Sequence, residues 1–228
     1  MVVGIHQPDY IPYLGLFYKM SQSDFWVFLD DVQFSSDNFH HWNRVKTANG
    51  EVRLKIPVEQ HFGDLISAVR TRDELRWKEK HLKTLELSYA KAPFFKECYP
   101  KLKELILSTY PNLAEQNITI NSFIAEQFGI LPRNVRGSSL SLDSAKEARV
   151  IDICKAVGGD VYLSGNGARA YQVDEHFTSQ GLELRYVDYH AFDYPQLWGE
   201  FIPNLSVLDY IFNCGYDWDR VAKQAGGH

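Results

Sequence analysis

The chain has 228 residues, of which 45% are hydrophobic and 23% charged, and its formal net charge is −5. This length and composition are typical of one globular domain with a sizeable core. The acidic balance gives no support to duplex nucleic acid binding, which depends on neutralising phosphates with Lys and Arg. Aromatic residues make up 14% of the chain, which favours a pocket for a flat or carbohydrate ligand.

The cysteines are few and widely spaced, at Cys98, Cys154 and Cys214. Without a CxxC pair or a Cys/His cluster, the sequence predicts neither a disulfide framework nor a zinc site. A signal-peptide pattern and an apolar run of membrane-spanning length are both lacking, so we expect a cytoplasmic protein with no membrane insertion. Cys214 is a weak alternative nucleophile, because its Phe and Leu neighbours are typical of a buried, inert thiol.

The first segment, residues 2–33, predicts a strand, a short helix and a second strand. The run "VVGI" is apolar, and a helix is expected from Pro12 to Ser21. Residues 25–29 are all apolar, as in a strand covered on both faces. This order predicts a parallel βαβ crossover.

The middle of the chain predicts a hairpin and then helices. Residues 43–59 alternate apolar and polar around Asn49-Gly50, which predicts an antiparallel hairpin at the edge of the sheet or above it as a flap. Residues 73–127 have a helical pattern. One face of the first of these helices is neither apolar nor charged, and it consists of Trp77, His81, Thr84 and Ser88. This stripe would line the edge of a cleft or form a partly exposed side of the helix. Basic residues between positions 70 and 83 are interleaved with acidic ones, which favours a solvated helix face over a nucleic-acid site.

The third segment, residues 145–189, predicts a second βαβ unit. A helix ends at Gly158-Gly159, a strand covers Val161 to Leu163, a helix continues to Gly181, and a strand covers Leu182 to Val187. We therefore predict an α/β fold with a central mostly parallel sheet built from βαβ units, an added antiparallel hairpin and a helical segment. Residues 1–225 would form a single domain with a helical insertion around 73–127. A last helix is expected, with Asn204-Leu205-Ser206 as its N-terminal cap.

Two strand exits are candidate ligand-binding loops, since ligands bind outside the carboxyl ends of parallel strands. One is "GIHQP", with His6 and Gln7; His6 would be a general base, a hydrogen-bond partner of a phosphate or carbonyl oxygen, or a buttress of the turn. The other is the Gly-rich stretch Ser164-Gly165-Asn166-Gly167, followed by Arg169. It would cradle a phosphate or simply make a tight turn.

The exit of the second predicted strand carries Asp30, Asp31 and Gln33. Paired carboxylates at a strand end can hold a ribose, an amine or a metal, and they can also cap a turn. Metal ligation is the weaker interpretation, and we predict no metal site.

Several motifs, in order over nearly the whole chain, resemble the WbqC-like family of bacterial proteins. They are "GIHQPDYIPYLGLFYKMSQSDFWVFLDDVQF", "NRVKTANG", "RWKEKHLKTLELSYAKAPFF", "YLSGNGARAY" and "FIPNLSVLDYIFNCG". WbqC-like proteins are associated with gene clusters for O-antigen and other surface polysaccharides, and with some specialised metabolite pathways. The resemblance therefore implies a transferase that attaches an acyl or aminoacyl group to a nucleotide-linked amino sugar.

Roles follow for the candidate residues under this hypothesis. His6 would be the base, with His81 as its rival, because a protonated ammonium is not nucleophilic. Asp30 and Asp31 would hold the amine or the ribose, and Asn43 with Arg44 would close over the acceptor. Ser164, Asn166 and Arg169 would bind phosphates, with Gly165 in the same loop. The remaining substrate-binding candidates are polar or aromatic side chains: Gln7, Tyr10, Gln33 and Trp77.

We expect no tightly bound cofactor. An acyl thioester of coenzyme A or of an acyl carrier protein would be the co-substrate, and a nucleotide-linked sugar the acceptor.

Two other functions remain open. The first strand and helix look distantly like those of nucleotidyltransferases with an HxGH signature, in which histidines bind nucleotide phosphates. HxGH is absent here, and Ser164 to Arg169 is the sole counterpart of the ISSTxxR-like segment. The other alternative is a non-catalytic subunit that binds a nucleotide sugar and modifies a partner enzyme.

Overall fold

A computed structural model describes residues 1–170 and 172–226. Tyr171, in the motif after the Gly-rich stretch, and the last two residues lie outside them. The strands, in chain order, are β1 (Val2–His6), β2 (Phe25–Phe28), β3 (Trp42–Thr47), β4 (Gly50–Lys55), β5 (Val58–Glu59), β6 (Arg70–Thr71), β7 (Arg133–Arg136), β8 (Val161–Ser164) and β9 (Glu183–Tyr186). The α-helices are α1 (Leu14–Ser21), α2 (Trp77–Tyr89), α3 (Phe95–Leu107), α4 (Leu113–Gln127), α5 (Lys146–Ala156), α6 (Asp174–Thr178), α7 (Val207–Cys214) and α8 (Trp218–Gln224).

The central sheet has five parallel strands in the order β7-β2-β1-β8-β9. From β1 the chain adds β2 and then β7 on one side, and it then places β8 and β9 on the other side of β1. The strand order thus reverses between β1 and β8, and such a reversal opens a crevice at the carboxyl ends of the two strands. The predicted α/β fold with a parallel sheet is confirmed.

Two apolar clusters cover the two faces of this sheet. The larger one is formed by side chains of α1, α2, α3, α4, α7, α8 and the β3–β4 hairpin. Trp26 and Phe17 are fully buried in it. The smaller one places Val3, Ile5 and Tyr162 under α5 and α6. Each such buried side chain stabilises the fold by about 1.5–3 kcal/mol. Gly4 has to lack a side chain, because a Cβ there would lie 2.6 Å from the Trp26 ring.

The predicted hairpin forms, but it does not extend the parallel sheet. β3 and β4 pair with each other as a separate two-stranded sheet, and β5 pairs with β6 in another. The parallel sheet ends instead at β7, which the sequence pattern does not predict. Its sequence, "RNVR", is polar and mostly exposed, as an edge strand can be, so it has no apolar run that would identify it.

The helices of residues 73–127 are confirmed, with differences in their faces. The mixed stripe is not a cleft edge or a partly exposed flank, because Trp77, His81 and Ser88 are buried. The predicted helix that continues to Gly181 is also wrong: a short 3-10 turn at Asn166–Ala168 precedes the five-residue α6. Within the described residues, no helix combines the length and apolar character needed to cross a bilayer.

The predicted cap of α7 is confirmed, since the Ser206 side chain accepts a hydrogen bond from the Leu208 N–H. The helix α8 was not predicted.

Candidate functional site

A pocket of about 480 Å³ lies where the strand order reverses. Its walls come from the ends of β1 and β8, from α1 and from the chain after β9. They include Ile5, His6, Tyr13, Gly15, Lys19, Tyr162, Ser164, Gly165, Asn166, Gly167, Val187, Tyr189 and Asn204. This volume accommodates a small organic ligand. The two loops predicted from the sequence, after β1 and after β8, therefore meet in one place.

His6 at the end of β1 is paired with a carboxylate. Its Nε2 lies 3.2 Å from Oδ2 of Asp9, and its side chain keeps 38% of its exposure. A carboxylate accepts, so Nε2–H donates and Nδ1 keeps a free lone pair. Within the described residues Nδ1 makes no hydrogen bond. This arrangement allows His6 to take a proton from a ligand at Nδ1 while Asp9 fixes the ring.

A second histidine lies behind this pair. His40 is fully buried, its Nε2–H donates to Oε1 of Gln7 at 2.6 Å, and the same nitrogen lies 4.0 Å from Oδ1 of Asp9. Burial lowers the pKa of His40, and the Asp9 carboxylate opposes this. His40 thus remains neutral at pH 7 and holds Gln7. Gln7, predicted to bind substrate, is next to the pocket and does not line it.

Three buried asparagines fix the backbone after β1. The Asn43 amide donates to the carbonyl oxygens of Tyr10 and Ile11, at 3.1 and 2.9 Å. Asn117 and Asn121, both on α4, donate to those of Pro8 and Asp9. Asn43, predicted to close over an acceptor, is 3% exposed and is fully used in this support.

The supported backbone is strained at one residue. Ile11 is buried and has φ of 37°, a left-handed value that a β-branched residue rarely adopts. Such strain persists when the surroundings over-determine the conformation, and it is concentrated at functional sites. The chain around α7 adds support, because Val207 N–H donates to the carbonyl of Pro12.

A lysine lies at the bottom of the pocket. Lys19 of α1 is 4% exposed, and its Nζ donates to the Ile5 carbonyl at 2.7 Å. Its ammonium lies 5.6 Å from the Trp26 ring centre and 5.9 Å from that of Tyr162. Burial lowers the pKa of Lys19 to about 7. Sequence reasoning missed this residue; the signal was a lysine on an otherwise apolar helix whose neighbours are Tyr18 and Met20.

An aromatic wall forms the opposite side. The rings of Tyr13 and Tyr189 meet edge to face at 5.8 Å, and Tyr18 packs on Tyr189. Gly15 lies under them, and a Cβ there would lie 2.2 Å from the Tyr13 ring. The wall thus presents ring surfaces to a flat ligand group.

The Gly-rich stretch after β8 lines the pocket as predicted, and its arginine does not. Ser164 is fully buried and donates its hydroxyl to Oε1 of Gln172 at 2.7 Å. Asn166 and Gly167 are exposed at the rim. Arg169 points away onto the Tyr186 ring, 4.5 Å from its centre, and it is not part of the pocket lining.

The acidic pair after β2 supports the exit of β7. Asp30 is 2% exposed and accepts from the Ser138 N–H and hydroxyl, at 2.9 and 2.8 Å. Asp31 forms an ion pair with the buried Arg149. Burial raises the pKa of Asp31, against the effect of Arg149. Neither carboxylate lines the pocket, so of the interpretations for this pair the turn cap fits best.

The remaining predicted residues are held elsewhere. His81, the rival base, has both nitrogens engaged: Nδ1 accepts from the Tyr10 hydroxyl at 3.0 Å, and Nε2–H donates to the Lys55 carbonyl at 3.2 Å. Burial lowers the pKa of His81 to about 4. Trp77 is 2% exposed and donates to Asp73. His81, Tyr10 and Trp77 thus form a packed core group.

Two further candidates lie at the surface. Arg44 pairs with Glu51 across the hairpin at 2.9 Å, and neither residue lines the pocket. Gln33 is exposed and takes part in an isolated bridge with Leu65.

The thiols are buried, and burial raises the pKa of Cys214 to about 11, which makes it a poor nucleophile. Among residues 1–170 and 172–226, no group of three or more His, Cys, Asp or Glu side chains is placed to hold a metal ion.

Comparison with known proteins gives two matches. The model of the WbqC-like protein family matches residues 7–220. The uncharacterized protein Rv1507c of Mycobacterium tuberculosis (strain ATCC 25618 / H37Rv) is 31% identical over 229 residues, which cover 97% of this chain and 99% of the relative. The search of solved structures gave no significant match. The chain belongs to the WbqC-like family.

Proposed function

We propose that this member of the WbqC-like family is a transferase that adds an acyl or aminoacyl group to the amine of a nucleotide-linked sugar. One observation carries the proposal: the His6–Asp9 pair lies at a pocket formed where the strand order reverses. Parallel α/β sheets bind nucleotides at this point. The product would serve surface-polysaccharide biosynthesis of the O-antigen type or a related pathway.

The pocket would hold the nucleotide part of the acceptor. The rings of Tyr13 and Tyr189 would contact the base or the sugar. The backbone N–H groups of Gly165 to Gly167 would contact the diphosphate. The sugar amine would then lie toward His6, whose side chain is partly exposed.

His6 would act as the general base. Nδ1 takes a proton from the sugar ammonium, and Asp9 stabilises the imidazolium that forms. The amine then attacks the thioester carbonyl, an amide bond forms and the C–S bond breaks. The thiolate of coenzyme A or of a carrier protein leaves with the proton from His6. The nitrogen loses its second proton to solvent as the amide forms, so one ammonium and one thioester give one amide, one thiol and one released proton. The protein itself needs no tightly bound cofactor for this reaction.

Nucleotidyl transfer is the second candidate function. An imidazole at the end of β1 and a Gly-rich stretch at the end of β8 lie in one pocket, as expected for phosphate contacts in such an enzyme. Acyl transfer is favoured because the Asp9 carboxylate beside His6 would repel a phosphate group but would stabilise an imidazolium formed in general-base catalysis.

The deciding experiment is an activity assay with purified protein. Uridine-diphosphate-linked amino sugars are incubated with a panel of acyl-coenzyme A thioesters, and products are identified by mass. We expect His6→Ala to lower kcat by roughly 10²- to 10⁴-fold, because general-base catalysis contributes about that much. His61→Ala is the matched control, since the His61 side chain is 83% exposed on a distant loop.

The alternatives give different results in the same assay. Release of pyrophosphate from a nucleoside triphosphate in the presence of a sugar phosphate would indicate nucleotidyl transfer. Tight binding of the nucleotide sugar without turnover, with or without a carrier protein, would indicate a non-catalytic binding subunit. Full activity in His6→Ala would rule out the assigned base.

A further inference from the structure

Lys19 occupies the point at which two paired strands separate. The β1–β8 ladder ends at the pair Gly4–Leu163, and the next carbonyl, that of Ile5, accepts from Lys19 Nζ instead. Both Ile5 and Lys19 line the pocket. The ammonium group is therefore held in the notch between the strand ends, which is where phosphates bind in sheets of this topology.

The charge of Lys19 is not compensated. Among the described residues, no Asp or Glu lies within ion-pair distance of its Nζ. Its neighbours are the Trp26 and Tyr162 rings, whose faces attract a cation but do not neutralise it. A buried amine in this position gains most from a ligand that brings a negative charge.

Other titratable groups face this notch from each surrounding element. They are His6 on β1, Tyr13 before α1, Cys154 on α5, Tyr162 on β8 and Tyr189 after β9. Burial raises the pKa of Tyr13 and Tyr189, and that of Cys154 to about 12, so these groups stay neutral at pH 8. Burial lowers the pKa of Lys19 to about 7, so its amine changes charge near neutrality.

We infer that Lys19 binds a phosphate of the ligand in this notch. Its amine is then protonated in the complex. The inference rests on the proposed function for the identity of the ligand, a nucleoside diphosphate group. A phosphate beside the amine replaces the missing counter-charge, so the ammonium form is favoured in the complex. Ligand binding then takes up a proton from solution.

The proton uptake can be measured by titration calorimetry with uridine diphosphate as the probe. Binding heats at one pH in two buffers of different ionisation enthalpy give the number of protons taken up. Burial sets the pKa of free Lys19 at about 7, so we expect uptake of about half a proton at pH 7 and close to one at pH 8. The phosphate of the probe contributes little at pH 8, because its own pKa is about 6.

Four variants test whether Lys19 is the group that takes up the proton. Lys19→Met should weaken binding by roughly tenfold or more and abolish uptake. Lys19→Arg should bind without uptake, because a guanidinium is always charged. His6→Asn should keep the uptake. Lys155→Met changes an exposed lysine on α5 and should behave as the wild type.

The outcomes separate this inference from the proposed function. Binding without proton uptake, or equal affinity in Lys19→Met, would overturn the role of Lys19 and leave the His6 assay standing. Uptake that depends on Lys19, without any acyl transfer, would support the phosphate site and overturn the transferase. No binding of uridine diphosphate by the wild type would overturn the phosphate site.

Discussion

The backbone that follows β1 has two sides of different construction. On the side toward the helical segment, called the saturated side here, four successive backbone carbonyl oxygens accept hydrogen bonds from Asn43, Asn117 and Asn121. The side toward β8 is open, with an unused nitrogen on His6 and an uncompensated charge on Lys19. A rigid support on one side thus allows neighbouring polar groups on the other to remain available for a ligand.

The same distinction separates the two candidate bases. His6 has one engaged nitrogen and is partly exposed, whereas His81 is buried with both nitrogens engaged. A general base needs a free lone pair within reach of a substrate. Of the two histidines, His6 alone meets this condition.

The largest expected effect on stability comes from the saturated side. Asn43→Ala removes three hydrogen bonds and leaves the Tyr10 and Ile11 carbonyls buried without this partner. We expect a loss of roughly 3–5 kcal/mol in the free energy of unfolding, measured by urea denaturation. Asn134→Ala, an exposed asparagine on β7, is the control and should change stability by less than about 0.5 kcal/mol. Similar losses in both variants would contradict the supporting role.

The open side should behave in the opposite way. Lys19→Met removes an uncompensated buried charge, so we expect a gain of roughly 2–4 kcal/mol in unfolding free energy at pH 6. Burial lowers the pKa of Lys19 to about 7, and the unfolded state therefore binds more protons above pH 7. Wild-type stability should rise from pH 7 toward pH 10, and the advantage of the variant should shrink over that range. A Lys19→Met protein less stable at pH 6 would contradict the prediction.

Acidification should lower the free energy of unfolding through the protonation of His81, which contacts Tyr10 on the saturated side. Burial lowers the pKa of His81 to about 4, so the unfolded state binds the proton first as the pH falls below 6.5. Stability is then lost between pH 6.5 and pH 4. His81→Gln can keep both hydrogen bonds without titrating, and we expect it to resist pH 5 better than the wild type by roughly 2 kcal/mol.

Thermal unfolding at pH 5 and pH 7.5 tests this. The two proteins should be close in stability at pH 7.5. If acidification lowered the stability of both proteins equally, another group would be responsible for the acid effect. One example is His41, whose pKa is also lowered by burial to about 4.

The smallest effect is expected at Arg169. This side chain stacks on Tyr186 at the surface, outside the pocket. Arg169→Ala should change the affinity for uridine diphosphate by less than about threefold, since an exposed cation–π contact is worth only ~0.5–1 kcal/mol. A loss comparable with that of Lys19→Met would show that Arg169 turns into the pocket when ligand binds, as the sequence first suggested.

Much of the fold could be predicted because its signals are local. The strand at residues 25–28 and the turn at Asn49-Gly50 follow from apolar runs and turn residues in the sequence. The Ser206 cap of α7 is of the same kind. β7 was missed because its pairing with β2, and not its composition, makes it a strand.

The sequence alone also determined where a site could be: two polar loops follow two apolar strands, and parallel strands bring their carboxyl ends to one edge. Only the tertiary structure decided which polar residues reach that site. Asp30 and Asn43 make structural hydrogen bonds, whereas Lys19 lines the pocket and Asp9 pairs with His6 there. The physical reason is that the partner of a polar side chain depends on contacts between distant segments, and a residue pattern does not encode these contacts locally.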